Sequence, residues 1–186
     1  MTTDLAEARR ALAESDCLAT PEQVDAALER MATAITSELA GQNPLLYCVM
    51  NGGLTIAGRL LPRLNFPLEL AYLHVTRYGH ALQGDLRLDW RVPPSQDPRG
   101  RTVLVIDDIL DEGYTLQAIC QYLAEQGAAR VLSAVLVHKD HQRKARPGMR
   151  ADFTGLDIAD RFLFGCGMDY KGYWRNAAGI HALKDS

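Results

Sequence analysis

The stretch Val103–Leu116, VLVIDDILDEGYTL, constrains the fold more than any other part of the chain. Its first four residues are continuously apolar, which suits a strand buried on both faces. Two adjacent acids, Asp107 and Asp108, follow at once. Ile109 and Leu110 come next, and Asp111, Glu112, Gly113 and Tyr114 lead into a helix over Thr115–Glu125 that Gly127 closes. A second apolar run, Val131–Val137, completes a strand–helix–strand unit, so the two strands are expected to lie parallel.

The same alternation extends towards the N-terminus. Thr20-Pro21-Glu22-Gln23 supplies an N-cap, a proline in the first turn and an acid beside it. Val24, Ala27, Leu28, Met31, Ile35 and Leu39 then recur at helical spacing up to Gly41, and the first 40 or so residues read as helical. Leu45–Met50 is another buried strand, Asn51-Gly52-Gly53 turns into a helix over Leu54–Leu64, and Leu68–Val75 is a further strand. Between Arg77 and Gly100 the chain is polar, with Leu86–Val92 alternating as one arm of an exposed ribbon. Strands alternating with helices predict an α/β fold, a mostly parallel twisted sheet flanked by helices. Ligands of such sheets bind at the carboxyl ends of the strands. The loops expected there are Asn51–Gly53, Asp107–Tyr114 and His138–Asp140.

Composition excludes more than it assigns. The 186 residues carry 20 basic against 23 acidic side chains, a net charge of −3, with no basic patch for nucleic acid or an anionic membrane. No apolar run approaches the ~18 residues of a membrane span, and the acidic start is unlike a signal peptide. Cys17, Cys48, Cys120 and Cys166 are scattered without CxxC pairing and read as free thiols of a cytoplasmic protein.

The acidic stretch carries chemistry. Gly113 allows a tight turn, and the helix start behind it offers unpaired N–H groups and the positive end of a dipole, an anion site suited to a phosphate. Carboxylates beside a phosphate cradle make sense when the ligand also has donors, and a ribose has them in its 2′- and 3′-hydroxyls. Capping acids before a helix would explain one aspartate, not three so close together.

Val103–Ile106, Asp107, Asp108, Ile109, Leu110, Asp111, Gly113 and Thr115 resemble the sugar-phosphate loop of the type I phosphoribosyltransferases. The resemblance implies a site for phosphoribosyl pyrophosphate, with Asp107 and Asp108 on the ribose and residues Asp111, Glu112, Gly113, Tyr114 and Thr115 around the 5-phosphate. An aspartate at position 111 is similar to the hypoxanthine–guanine branch, in which that residue manages the proton on purine N7. Lys139 matches the lysine that meets the 6-oxo group. Asp160–Gly165, Met168–Tyr170 and Tyr173–Arg175 resemble the base- and pyrophosphate-binding stretch.

By that match Phe162 stacks on the base, Leu163 and Asp169 meet its edge, and Arg175, Asn51, Gly52, Arg77 and Tyr78 serve the pyrophosphate. Mg²⁺ would be held through Asp107, Asp108 and Asp169. The resemblance covers residues 45–180. It implies one domain over 1–186, with N-terminal helices (1–42), a mobile lid (76–100), a small C-terminal base-binding hood (150–186) and assembly as a dimer or tetramer.

Three positions depart from the family. Glu112 stands where a threonine is common, so only its backbone N–H is expected to face the phosphate. Asn51 replaces a lysine of the pyrophosphate loop, and Arg77 a serine of the lid, a charge that compensates for Asn51. His138 and His141 flank Lys139 at a spacing that could hold zinc, but no third ligand is visible and no metal is assigned to them. His74, His80 and His181 carry no assignment. The expected activity is purine salvage, phosphoribosyl transfer to N9 of hypoxanthine or guanine. The alternatives are a xanthine-preferring enzyme and a non-catalytic sensor of phosphoribosyl pyrophosphate.

Overall fold

In the computed structural model residues 4–78 and 87–184 are described, apart from the side chains of 77, 78, 87 and 88. Helix α1 (Leu5–Ala13) leads to strand β1 (Asp16–Ala19) and helix α2 (Pro21–Leu39). Strand β2 (Leu45–Met50), helix α3 (Gly53–Leu60), strand β3 (Glu69–Tyr78) and strand β4 (Arg87–Val92) follow. Then come β5 (Thr102–Leu110), α4 (Tyr114–Glu125), β6 (Arg130–Asp140), β7 (Phe153–Ala159), β8 (Leu163–Phe164) and β9 (Ile180–Ala182).

Six strands make the main sheet, in the order β4-β3-β2-β5-β6-β7. Every neighbouring pair is parallel except β3 and β4, which form an antiparallel ribbon at one edge. The expected α/β architecture is therefore present. The continuous apolar runs bury both faces of the sheet. Leu46, Cys48, Leu104, Ile106 and Leu136 pack under α2 and α3, while Leu45, Tyr47, Val49, Val103, Val105 and Val135 pack under α4. Thr20 caps α2 with a capping box, its side chain accepting from Gln23 N and the Gln23 side chain accepting from Thr20 N. The Tyr47 hydroxyl, at the bottom of the second face, donates to Gln96 O at 2.6 Å and ties the return from β4 to the sheet.

Several boundaries differ from expectation. The first forty residues are not all helical, because β1 pairs antiparallel with β9 near the other end of the chain. β1, β9 and β8 form a second, three-stranded sheet, so the C-terminal hood includes an N-terminal strand. Helix α1 closes this hood: Trp174 Nε1 donates to Ala8 O at 2.6 Å, and Tyr170 Oη donates to Glu7 at 2.9 Å. Residues 153–159, expected in the hood, instead form edge strand β7. The expected helix Leu54–Leu64 stops at Leu60 and tightens into a 3₁₀ turn over Leu61–Arg63, where Pro62 has no N–H to continue the ladder. Asp107 and Asp108, expected in a loop, belong to β5, which keeps pairing with β6 as far as Leu110, and Asp111 and Glu112 follow its end. His138–Asp140, also expected as a loop, still pair with β7. In the expected lid, Thr76–Tyr78 are the end of β3 and 87–92 are β4, and residues 79–86 lie outside the described residues.

Candidate active site

The carboxyl ends of β2, β3 and β5 open onto a cavity of about 390 Å³. Asn51, Gly52, His74, Thr76, Asp107, Asp108, Asp111, Gly113, Thr115 and Arg175 line it. Its floor is unusually close-packed. A Cβ on Gly52 would overlap the Asp108 carboxylate, and one on Gly53 would lie 2.5 Å from Ile106 O. The turn after β2 therefore rests directly on the end of β5 because it carries no side chains there. Gly113 has φ +89°, and a Cβ would meet Met149 Sδ at 2.6 Å. It precedes α4 with no side-chain cap, so the first-turn N–H groups face the cavity rim unclaimed by a capping side chain.

Asp107 and Asp108 sit on the floor. The Asp108 N–H donates to Asp107 Oδ1 at 2.9 Å. Burial pushes both carboxyls above the usual carboxylate range, and the Asp108 charge pushes Asp107 further. Across from them Arg175 donates to Gly167 O at 2.6 Å, pairs with Asp169, and comes to 3.9 Å of Asp108. Asp169 also accepts from Gly172 N at 2.7 Å, which fixes the turn that carries it.

A second hollow, about 220 Å³, adjoins the first and shares Asp108, Ile109 and Asp111 with it. Lys139, Phe162, Leu163, Met168 and Asp169 complete its walls. Phe162 is 45% exposed and meets Tyr170 edge-on, with 6.0 Å between ring centroids. It is a flat apolar wall open to a ligand rather than a core residue.

Asp111 stands where the hollows meet. Lys139 Nζ donates to its Oδ2 at 3.0 Å, and His141 Nε2 lies 2.7 Å from its Oδ1. Burial alone would raise the Asp111 pKa, but the hydrogen bonds from Lys139 and His141 outweigh it, and the net shift is downward. The carboxylate is thus ionised at neutral pH. Lys139 is also 3.5 Å from Asp160, which Arg143 grips with two hydrogen bonds that hold its pKa down at about 2. Among the described residues, Asp111, His141 and Asp160 form the only group of three potential metal ligands. Lys139 and Arg143 already place positive charge there, so the cluster is a closed ion network.

The sequence model of the phosphoribosyl transferase domain matches residues 18–171. The chain belongs to the phosphoribosyltransferase family. It is 31% identical to the hypoxanthine-guanine phosphoribosyltransferase of Streptococcus pneumoniae over 170 residues, 90% of this chain and 92% of that protein. A hypoxanthine phosphoribosyltransferase from Trypanosoma cruzi, solved with the product IMP, superposes with a TM-score of 0.82 at 25% identity, covering 92% of this chain and 95% of that one. The Staphylococcus aureus hypoxanthine phosphoribosyltransferase has the same fold, with a TM-score of 0.83 at 24% identity over 91% of each chain.

In this phosphoribosyltransferase the two hollows gather most of the residues singled out from sequence. Asn51, Gly52, Asp107, Asp108, Asp111, Gly113, Thr115 and Arg175 share the larger one, and Lys139, Phe162, Leu163 and Asp169 the smaller. Glu112 and Tyr114 line neither; the Glu112 carbonyl accepts from Ala145 N at 2.7 Å. The side chains of Arg77 and Tyr78 lie outside the described residues. Asp107, Asp108 and Asp169 do not converge as a three-ligand group. Sequence reading missed His74 and Thr76 at the end of β3, and it missed His141, considered there only as a zinc ligand. His141 does have carboxylates close by, in Asp111 and Asp160, but His138 is not among them. His141 follows Lys139 by two positions, and only the fold of the 140–145 turn brings it back onto Asp111.

Proposed function

We propose that this protein transfers the 5-phosphoribosyl group from phosphoribosyl pyrophosphate to N9 of hypoxanthine or guanine, giving IMP or GMP and pyrophosphate. The observation that carries the reading is the Lys139–Asp111 pair on the wall between the two hollows, 3.0 Å apart. A donor-only ammonium beside an acceptor-only carboxylate matches one edge of a 6-oxopurine, where O6 accepts and N7–H donates. In the absence of the base the two satisfy each other. When it binds, its edge takes the place of that contact.

The larger hollow suits the sugar phosphate. The first turn of α4 and Thr115 receive the 5-phosphate, and Asp107 and Asp108 accept from the ribose hydroxyls. Glu112 turns its carbonyl to Ala145 and only its N–H is needed at the phosphate. Arg175, with the Asn51–Gly53 turn, receives the pyrophosphate, and Asn51 supplies amide hydrogen bonding without charge. The side chain of Arg77 is assigned the charge that Asn51 lacks, and Tyr78 with the β3–β4 ribbon the role of excluding water.

Mg²⁺ fits the donor set. Asp107 and Asp108 are hard oxygen donors whose pKa values are raised by burial, that of Asp107 further by the Asp108 charge, a state that a nearby cation relieves. Mg²⁺ commonly takes one or two carboxylates together with substrate phosphates. Asp107 and Asp108 would hold it, Asp169 not converging with them, and when bound it would neutralise charge on the departing pyrophosphate.

Chemistry follows from positioning. Phe162 covers one face of the base, and backbone groups at Leu163 meet its edge. The N9 lone pair forms a bond to C1 of the sugar as the C1–oxygen bond to pyrophosphate breaks. The purine gains positive charge in that step, so its N7–H becomes acidic. A carboxylate of lowered pKa such as Asp111 is then basic enough to take the proton.

Among the described residues no helix is long and apolar enough to cross a membrane. The four cysteines are unpaired, in keeping with a cytoplasmic location. Leu70 and Tyr72 lie on one face of β3, each 50% exposed, an apolar patch that a second copy would cover in a homo-oligomer. A coupled assay of pyrophosphate release tests the activity. Release that depends on both phosphoribosyl pyrophosphate and an oxopurine is expected, and release that is absent with every base would leave only the sensor reading.

A further inference from the structure

His141 is a residue of the site that the reaction above leaves without a task. Its side chain is only 4% exposed, against 39% for Asp111. Its two ring nitrogens have different partners. Nδ1 lies 3.0 Å from the backbone nitrogen of Arg143, and Nε2 lies 2.7 Å from Asp111 Oδ1. A backbone N–H can only donate, so Nδ1 must be bare to accept it. The neutral ring then carries its hydrogen on Nε2, where it donates to the Asp111 carboxylate. Accepting a proton at Nδ1 would break the Arg143 contact, and Nε2 is already protonated. His141 is therefore built as a fixed donor and not as a proton relay.

The surrounding turn holds this arrangement rigidly. Lys144 Nζ donates to Asp111 O at 2.6 Å and to the carbonyl of Lys139, and Ala145 N donates to Glu112 O at 2.7 Å. The segment bearing His141 is thereby tied to the backbone on either side of the base. We propose that His141 is a positioning residue that occupies Asp111 Oδ1 and so directs the N7 proton of the purine onto Oδ2. Oδ2 is the oxygen that Lys139 holds in the absence of base and vacates to meet O6. In the step itself the N7–H bond breaks and its electron pair returns to the ring, while an O–H bond forms at Oδ2. Asp111 passes the proton to solvent through its exposed edge once product leaves.

Every charged or titratable group facing Asp111 bears on this. Lys139 comes from β6, His141, Arg143 and Lys144 from the turn after it, and Asp160 from the turn after β7. Glu112 is its chain neighbour, and His74, Asp107, Asp108, Asp169 and Arg175 share its two hollows. Of these, Lys139 and His141 are the ones that hydrogen-bond the carboxylate, and the downward shift of Asp111 agrees with two donors on it.

The proposal rests on the phosphoribosyltransferase reading, and its test includes readouts that need no turnover. Carboxyl ¹³C shifts give the Asp111 titration in the wild-type protein, in His141→Met, which lacks the donor, and in His141→Gln, whose amide keeps one near the Nε2 position. The expected midpoint rises by roughly half to one pH unit in His141→Met, as befits one lost hydrogen bond, and returns in His141→Gln. Steady-state kinetics with hypoxanthine should show a fall of about tenfold in kcat for His141→Met with KM for phosphoribosyl pyrophosphate unchanged, and recovery in His141→Gln. An unmoved midpoint, or His141→Gln no better than His141→Met, overturns the proposal. Should His141→Met not fold, the imidazole ¹⁵N shifts of the wild-type protein decide: a hydrogen on Nε2 with Nδ1 bare supports it, and the opposite tautomer overturns it. Wild-type protein that turns over no oxopurine would instead sink the proposed activity, and this role with it, whatever the Asp111 titration shows.

Discussion

At the scale of single residues, Asp111 concentrates the chemistry because its environment resolves a conflict. Burial disfavours its charge, while Lys139 and His141 favour it, and the second effect prevails. Asp111→Asn keeps the shape and removes the base. Turnover should fall by about 10²–10⁴-fold with the affinity for phosphoribosyl pyrophosphate nearly unchanged, as measured by kcat alongside direct binding. Equal losses in both would place Asp111 in binding instead. Lys139→Met removes the donor that O6 requires, so discrimination against adenine should collapse from the ~10⁴ that such sites reach. A ratio of kcat/KM for hypoxanthine over adenine checks this. Asp107 and Asp108 were legible in sequence as a pair; that the end of β5 buries them was not, because the strand was expected to stop at the first charged residue.

At the scale of elements, the glycines decide how closely the active-site turns approach one another. Gly52→Ala would drive a methyl into the Asp108 carboxylate and lift the turn after β2 from the end of β5. KM for phosphoribosyl pyrophosphate should rise several-fold, the order of effect expected when a binding loop is displaced. Gly113→Ala forces an L-residue into left-handed backbone at about 1–2 kcal/mol and presses on Met149, so the melting temperature should drop before any kinetic defect is interpreted. The long parallel strands were legible because their apolar runs are continuous, and β2 was placed to the residue, Leu45–Met50. β1 was not, because four residues carry too little pattern, and its partner Ile180–Ala182 lies at the far end of the chain. β5 and β6 were read short for a different reason. Ladder pairing carries Asp107–Leu110 and His138–Asp140 past the end of the apolar pattern.

At the scale of the whole molecule, the hood depends on both ends of the chain. Phe164, fully buried, stacks on His181 at 5.6 Å, and Ser15 from the segment between α1 and β1 bonds the His181 ring at 3.2 Å. Burial holds the His181 pKa below its ordinary value. The unfolded chain therefore takes up the proton first, and the stability that goes with a neutral His181 is lost as pH falls through about 6.5. His181→Gln does not titrate. The wild-type protein should thus lose melting temperature relative to His181→Gln between pH 7.5 and 5.5, values chosen to straddle about 6.5, while a constant difference would contradict the account. The bipartite cleft, one hollow for the sugar phosphate and one for the base, exists only at this scale, since the hood brings Phe162 and Arg175 over the ends of the sheet strands.

The central claim is that Lys139 and Asp111 together read the O6/N7–H edge of a 6-oxopurine. The most direct measurement is kcat/KM for hypoxanthine, guanine, xanthine and adenine in one steady-state assay of pyrophosphate release. The account predicts efficient turnover of hypoxanthine or guanine and a value for adenine lower by about 10⁴; equal turnover of adenine and hypoxanthine would contradict it.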